Sequence, residues 1–301
     1  AYPFAGNIGG GGFMVYRTND GKTGALDYRE KAPLAASKNM YLDENGAIVE
    51  GKSTIGAMAI GIPGTVDGLF KVHEKFGTLP FSELIQPAID LAKKGVIVTR
   101  KQAERLNKYR IYFAEANDTI IFLDTEWKEN DTIKYSELAK TLERIRDNGR
   151  DGFYKGETAE ILVNYIQKLG GIITKKDLEI YKATWRKPIE FTYENLKIIS
   201  MSPPSSGGIC MAQIFKSIEP YDIASFEHNS LKTIQLITEA ERRAYADRSY
   251  YLGDPDFVKI PIDTLISSNY NLKRMNDFSW EKATLSSTIK QGIISGYESN
   301  E

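Results

Sequence analysis

The sequence predicts a mixed α/β chain without regular βαβ alternation, and three stretches carry that reading. Near the start, "GGGGFMVYR" and "GALDYRE" are strand-like runs joined by "TNDGKT", where Asp20-Gly21 is a hairpin turn signal. In the middle, "SELIQPAIDLAKKG" places Leu84, Ile85, Ala88, Ile89 and Ala92 at the spacing of a buried helical stripe. Further on, "KPIEFTYENLKIISM" reads as two strands around a turn at "ENL".

Helices dominate between and after these strands. Pro87 implies a kink or a late start for the helix at 82–95. The stretches 136–149 and 156–171 both run into glycine, the usual helix stop. Thr174 and Asp177, three residues apart, form a capping-box-like start. "SPPSSGG" breaks the chain before a helix over 209–219, and a long helix runs from Ser230 to about Tyr251, ending at "LGDPDF". The Ser-, Gly- and Lys-rich end carries little periodicity, which divides the chain into a domain over 1–280 and an extended tail over 281–301.

Composition excludes several function classes. Lys and Arg total 39 against 40 Asp and Glu, so the 301-residue chain lacks the basic footprint of a nucleic-acid or membrane-surface binder. No apolar run approaches the ~20 residues of a membrane span. Nor does the start carry a signal peptide; "AYPFAGN" reads like the interior of something longer. The single cysteine, Cys210, excludes a disulfide framework and reads as a small buried hydrophobe in a helix. His73, on a predicted helix, and His228, at a predicted helix entry, lack the spacing of a metal site.

The run "GNIGGGGFMVY" invites a phosphate-loop reading, which the spacing refuses. Gly9 and Gly11 would need a third glycine at Met14, and Gly10 and Gly12 one at Val15. A formal Walker A match stands at Gly46–Ser53, "GAIVEGKS", with Lys52 as its lysine. Its surroundings are polar and turn-rich, and its intervening residues are bulky and β-prone, so a surface turn followed by a short strand is the better reading. A nucleotide-binding module stays as the alternative class. The hairpin offers a different site: a turn centred on Asp20-Gly21 brings Arg29 opposite Gly12, give or take two residues. A strand without side chains leaves room for a ligand beside that guanidinium, which suits a carboxylate, and Asp27 or Glu30 can orient it. Spacing alone favours a structural Arg29–carboxylate pair over a ligand site.

The blocks "GNIGGGGFMVY", "LDYREKAP", "GIPGTVDG", "GGIITKKDLEIYKATWRKPI", "ISMSPPSSGG" and "AYADRSYYLGDPDFV" stand in the order found in γ-glutamyltransferases, and the chain resembles the large subunit of a bacterial member. The resemblance implies an N-terminal-nucleophile hydrolase with a four-layered αββα sandwich, of which this chain is the large-subunit portion. It implies self-cleavage just after Glu301, before the threonine that heads the small subunit, an obligate partner. That threonine would attack the γ-glutamyl amide of glutathione or another γ-glutamyl compound and pass the acyl group to water, an amino acid or a peptide. No cofactor and no metal are implied, no catalytic residue falls in this chain, and the expected location is periplasmic or secreted. One family site residue maps here: Arg29, in "DYREKAP", matches the arginine that holds the substrate α-carboxylate. Under this reading "SPPSSGG" and "YLGDPDF" are structural, and Ser205 lacks a base that would make it a nucleophile. A family relative without transferase activity, serving as an assembly partner, remains a third possibility.

Overall fold

A glycine fixes the first element. In the computed structural model of the chain, which describes residues 5–297, Gly21 takes a left-handed φ of 86°. Its N–H donates to Thr18 O at 3.0 Å, and Thr18 N–H donates to Lys22 O at 2.9 Å. The loop is thus the three residues Asn19-Asp20-Gly21, with glycine at the position that needs positive φ. It joins β1 (Phe13–Arg17) to β2 (Thr23–Asp27). An odd-length loop moves the register by one from the sequence expectation: Gly12 exchanges both backbone hydrogen bonds with Tyr28, not Arg29. The expected processing boundary, Glu301, lies outside the described residues.

Contacts divide the chain into two units. The first comprises the segment ending at Gly12 together with Asp27–Thr184. It carries α1 (Thr65–Phe76), α2 (Phe81–Lys94), β3 (Val96–Ile97), α3 (Arg100–Lys108), α4 (Arg110–Ala116) and β4 (Thr132–Ile133). It continues through α5 (Ser136–Asn148), α6 (Asp151–Tyr154), α7 (Gly156–Lys168) and α8 (Lys175–Ile180). The main core gathers Val66, Ile89, Leu142, Ile145, Phe153, Val163, Ile166 and Leu178, with Tyr154 and Tyr181 at its polar edge. The apolar stripe of α2 is narrower than its spacing suggested, since Ile89 and Ala92 are buried while Leu84 and Ala88 are exposed. The helix begins at Phe81, ahead of Pro87 rather than after it. Gly149 follows α5 at φ 59° and Gly170 follows α7 at φ 82°, the left-handed stops expected there. Thr174 and Asp177 form a full capping box on α8.

The second unit comprises Phe13–Leu26 and the segment starting at Trp185. Its sheet has the order β1-β2-β5, where β5 is Thr184–Arg186. A hairpin of β6 (Ile189–Tyr193) and β7 (Leu196–Ser200) turns at Glu194, φ 49°, with Ile189 opposite Ser200. The helices are α9 (Gly207–Ile218), α10 (Leu231–Tyr251, capped by Ser230), α11 (Ile262–Leu265) and α12 (Ser268–Arg274). Ile189, Phe191, Ile209, Ala212, Tyr251, Leu265 and Tyr270 form one core. Residues 281–297 are mostly irregular, but they are docked rather than loose. Ile294 and Tyr297 pack on that core. The reason is polar: α10 buries carboxylates that the tail's backbone satisfies. Gly292 N–H donates to Asp247 Oδ1 at 2.7 Å and Thr284 N–H to Glu239 Oε1 at 3.0 Å.

Candidate functional site

Arg29 stands on a backbone held from two directions. Its N–H donates to Asp27 Oδ1 at 3.1 Å, and its carbonyl accepts the Tyr181 hydroxyl at 2.8 Å. Opposite it, Gly11 allows the strands to close up: a Cβ there would sit 2.6 Å from Tyr28 O and 2.9 Å from Arg29 Cα. The room Gly11 makes is therefore used by the chain's own backbone, and a Cβ at Gly12 would meet the Tyr28 ring. Of the two expected orienting carboxylates, Asp27 holds the backbone N–H instead of the guanidinium. The Arg29 side chain is exposed, and among the described residues its guanidinium has no hydrogen-bond or ion-pair partner. The structural Arg29–carboxylate pair that spacing favoured is thus not found among the described residues. A guanidinium in this state can take a planar anion through two parallel N–H donors.

A buried polar cluster supports Tyr181. Asp67, 2% exposed at the start of α1, accepts the Ala183 N–H at 2.6 Å and the Arg150 Nε–H. Arg150 also donates to Tyr181 O and lies 4.3 Å over the Tyr154 ring. Tyr154 stacks on Tyr181 with ring centroids 5.8 Å apart and planes 2° apart, and donates its hydroxyl to Pro63 O at 2.8 Å. Burial pushes both phenols well above their ordinary value of 10.0, so both remain donors across neutral pH. Gly64 leaves the space for this arrangement, because a Cβ there would overlap Tyr28 O and the Tyr181 hydroxyl. Sequence reasoning did not single out Tyr181, Asp67 or Arg150. Tyr181 and Asp67 do lie inside the quoted blocks "DLEIYKATW" and "GTVDG".

The remaining candidates resolve as structure. Gly46–Ser53 forms a turn, with Gly46 at φ 80° and an isolated bridge between Leu42 and Ile48, and turns rather than a helix follow Lys52. A phosphate loop needs that helix N-terminus. Ser205 Oγ accepts the Gly207 N–H at 3.3 Å as α9 begins. Cys210 is buried in α9, and burial raises its thiol above 9.0. His73 Nε2 lies 2.7 Å from Leu79 O. Among the described residues, no three His, Cys, Asp or Glu side chains gather as a metal site. No described helix is long and apolar enough to cross a membrane.

A sequence profile of the family described as Gamma-glutamyltranspeptidase matches residues 1–300. The glutathione hydrolase proenzyme of Escherichia coli (strain K12) is 43% identical over 100% of this chain and 52% of its own length. The chain thus spans about half the length of the curated relatives it matches. The crystal structure of Helicobacter pylori gamma-glutamyltranspeptidase superposes with a TM-score of 0.94 at 43% identity, covering 99% of this chain and 87% of that one. Cephalosporin acylase from Bacillus halodurans, at 22% identity and a TM-score of 0.78 over 90% of this chain and 51% of its own, shares the fold alone.

Proposed function

The chain belongs to the gamma-glutamyltranspeptidase family, and on that premise we propose that it is the substrate-anchoring large subunit of a two-chain γ-glutamyltransferase. The carrying observation is Arg29: an exposed guanidinium, unpartnered among the described residues, on a backbone fixed by Asp27 and Tyr181. In this reading it holds the α-carboxylate of glutathione or another γ-glutamyl donor through a bidentate pair. The threonine at the head of the small subunit attacks the γ-glutamyl carbonyl, the amine departs, and water, an amino acid or a peptide takes the acyl group. Backbone amides stabilise the oxyanion. The strands described in this chain form three small sheets, so the reading assigns the rest of an αββα sandwich to the partner subunit. The relatives being named proenzymes supports a self-cleaved precursor.

The test is to co-express the chain with a threonine-led small subunit and assay γ-glutamyl-p-nitroanilide. Arg29→Ala is expected to raise KM for the donor by ~2 kcal/mol or more in binding terms. Unchanged KM in that variant overturns the anchor role, and a wild-type pair that assembles without turnover favours a non-catalytic relative.

A further inference from the structure

We infer that Tyr181 is a positioning residue for donor binding, acting through the Arg29 carbonyl. The inference rests on the carboxylate-anchor reading of Arg29. The Tyr181 hydroxyl meets that carbonyl at 2.8 Å from a side chain that is 2% exposed. Its ring is fixed by the parallel Tyr154 ring. Its backbone is fixed at its own carbonyl by Arg150, and two residues on, at the Ala183 N–H, by Asp67.

The geometry matters because Arg29 is otherwise held weakly. Among the described residues its side chain has no tie, so the direction of its Cα–Cβ bond is set by its two flanking peptide planes. Asp27 holds one plane through the Arg29 N–H, and Tyr181 holds the other through the carbonyl. Gly11 closes against the same backbone, and Gly64 leaves the hydroxyl its room. Two parallel hydrogen bonds to a carboxylate tolerate little angular error, so a loosened carbonyl weakens donor binding before it touches chemistry. A phenol buried only for packing would leave donor binding indifferent to its hydroxyl.

The experiment uses the co-expressed two-chain enzyme and γ-glutamyl-p-nitroanilide. Tyr181→Phe keeps the ring and removes the hydroxyl. It is expected to raise KM about 3- to 10-fold while kcat stays within about 2-fold. In an Arg29→Ala background the same substitution is expected to change KM less than about 2-fold, because the group it positions is gone. Hydrogen exchange at residues 28–31 of the intact enzyme provides a second readout, and faster exchange is expected in Tyr181→Phe. An equal KM rise in both backgrounds assigns Tyr181 a general structural role and overturns the inference. So does an Arg29-dependent KM that Tyr181→Phe leaves unchanged, or unchanged exchange at 28–31. Should Arg29→Ala alone leave KM unchanged, the anchor reading fails first and this inference with it.

Discussion

Asp67→Asn tests the scaffold beneath Arg29 most severely, because it changes charge at constant shape. The carboxylate is 2% exposed and serves two donors, the Ala183 N–H at 2.6 Å and the Arg150 Nε–H. Asparagine offers one oxygen, so its amide must point N–H toward one of those donors. A buried donor left unpaired costs ~1–3 kcal/mol. The Arg150 guanidinium also loses its countercharge, but its side chain is 26% exposed and water recovers part of that loss. The sum is about 3 kcal/mol rather than the ~5 of a fully enclosed broken pair. For a unit of this size that corresponds to a melting temperature lowered by roughly 6–12 °C. Thermal unfolding followed by circular dichroism measures it, and a shift under about 2 °C would refute the reasoning.

Two further outcomes follow from the same accounting of buried groups. Gly64→Ala should destabilise by more than ~2 kcal/mol, because the new methyl overlaps Tyr28 O and the Tyr181 hydroxyl and alanine is a poorer N-cap than glycine at the start of α1; a neutral or stabilised variant in urea unfolding would contradict it. Burial alone would raise the Glu239 carboxyl, but hydrogen bonds from Arg243 and Thr284 outweigh it and hold the group below its ordinary 4.5. A depressed native pKa contributes stability that is present above 4.5 and lost as pH falls through the native value. The melting-temperature advantage of wild type over Glu239→Gln should therefore shrink as the pH falls below 4.5, and a constant gap would count against the assignment.

Much of the fold was legible because its signals are local. Thr174 and Asp177 announced the α8 capping box, the Glu194 turn followed from "ENL", and α10 ended at Tyr251 as its pattern indicated. The docked tail was not legible. No local signal marks Asp247 and Glu239 as buried, and only the fold brings Gly292 and Thr284 to them. The site divides the same way. Arg29 was visible because its block is distinctive and a hairpin places it within one residue. Tyr181 was invisible because its bond to Arg29 spans 152 positions and no periodicity records it. The glycine run was recognised as a close approach, and at Gly11 the neighbour is the chain's own backbone at Tyr28 and Arg29.

The most direct test of Arg29 as the α-carboxylate anchor compares two donors in the co-expressed two-chain enzyme. One is a γ-glutamyl anilide, and the other is its analogue lacking only the α-carboxylate. Wild type should favour the complete donor by roughly 30-fold or more in kcat/KM, and Arg29→Ala should reduce that preference to within about 3-fold. A preference of the same size in Arg29→Ala as in wild type would contradict the account.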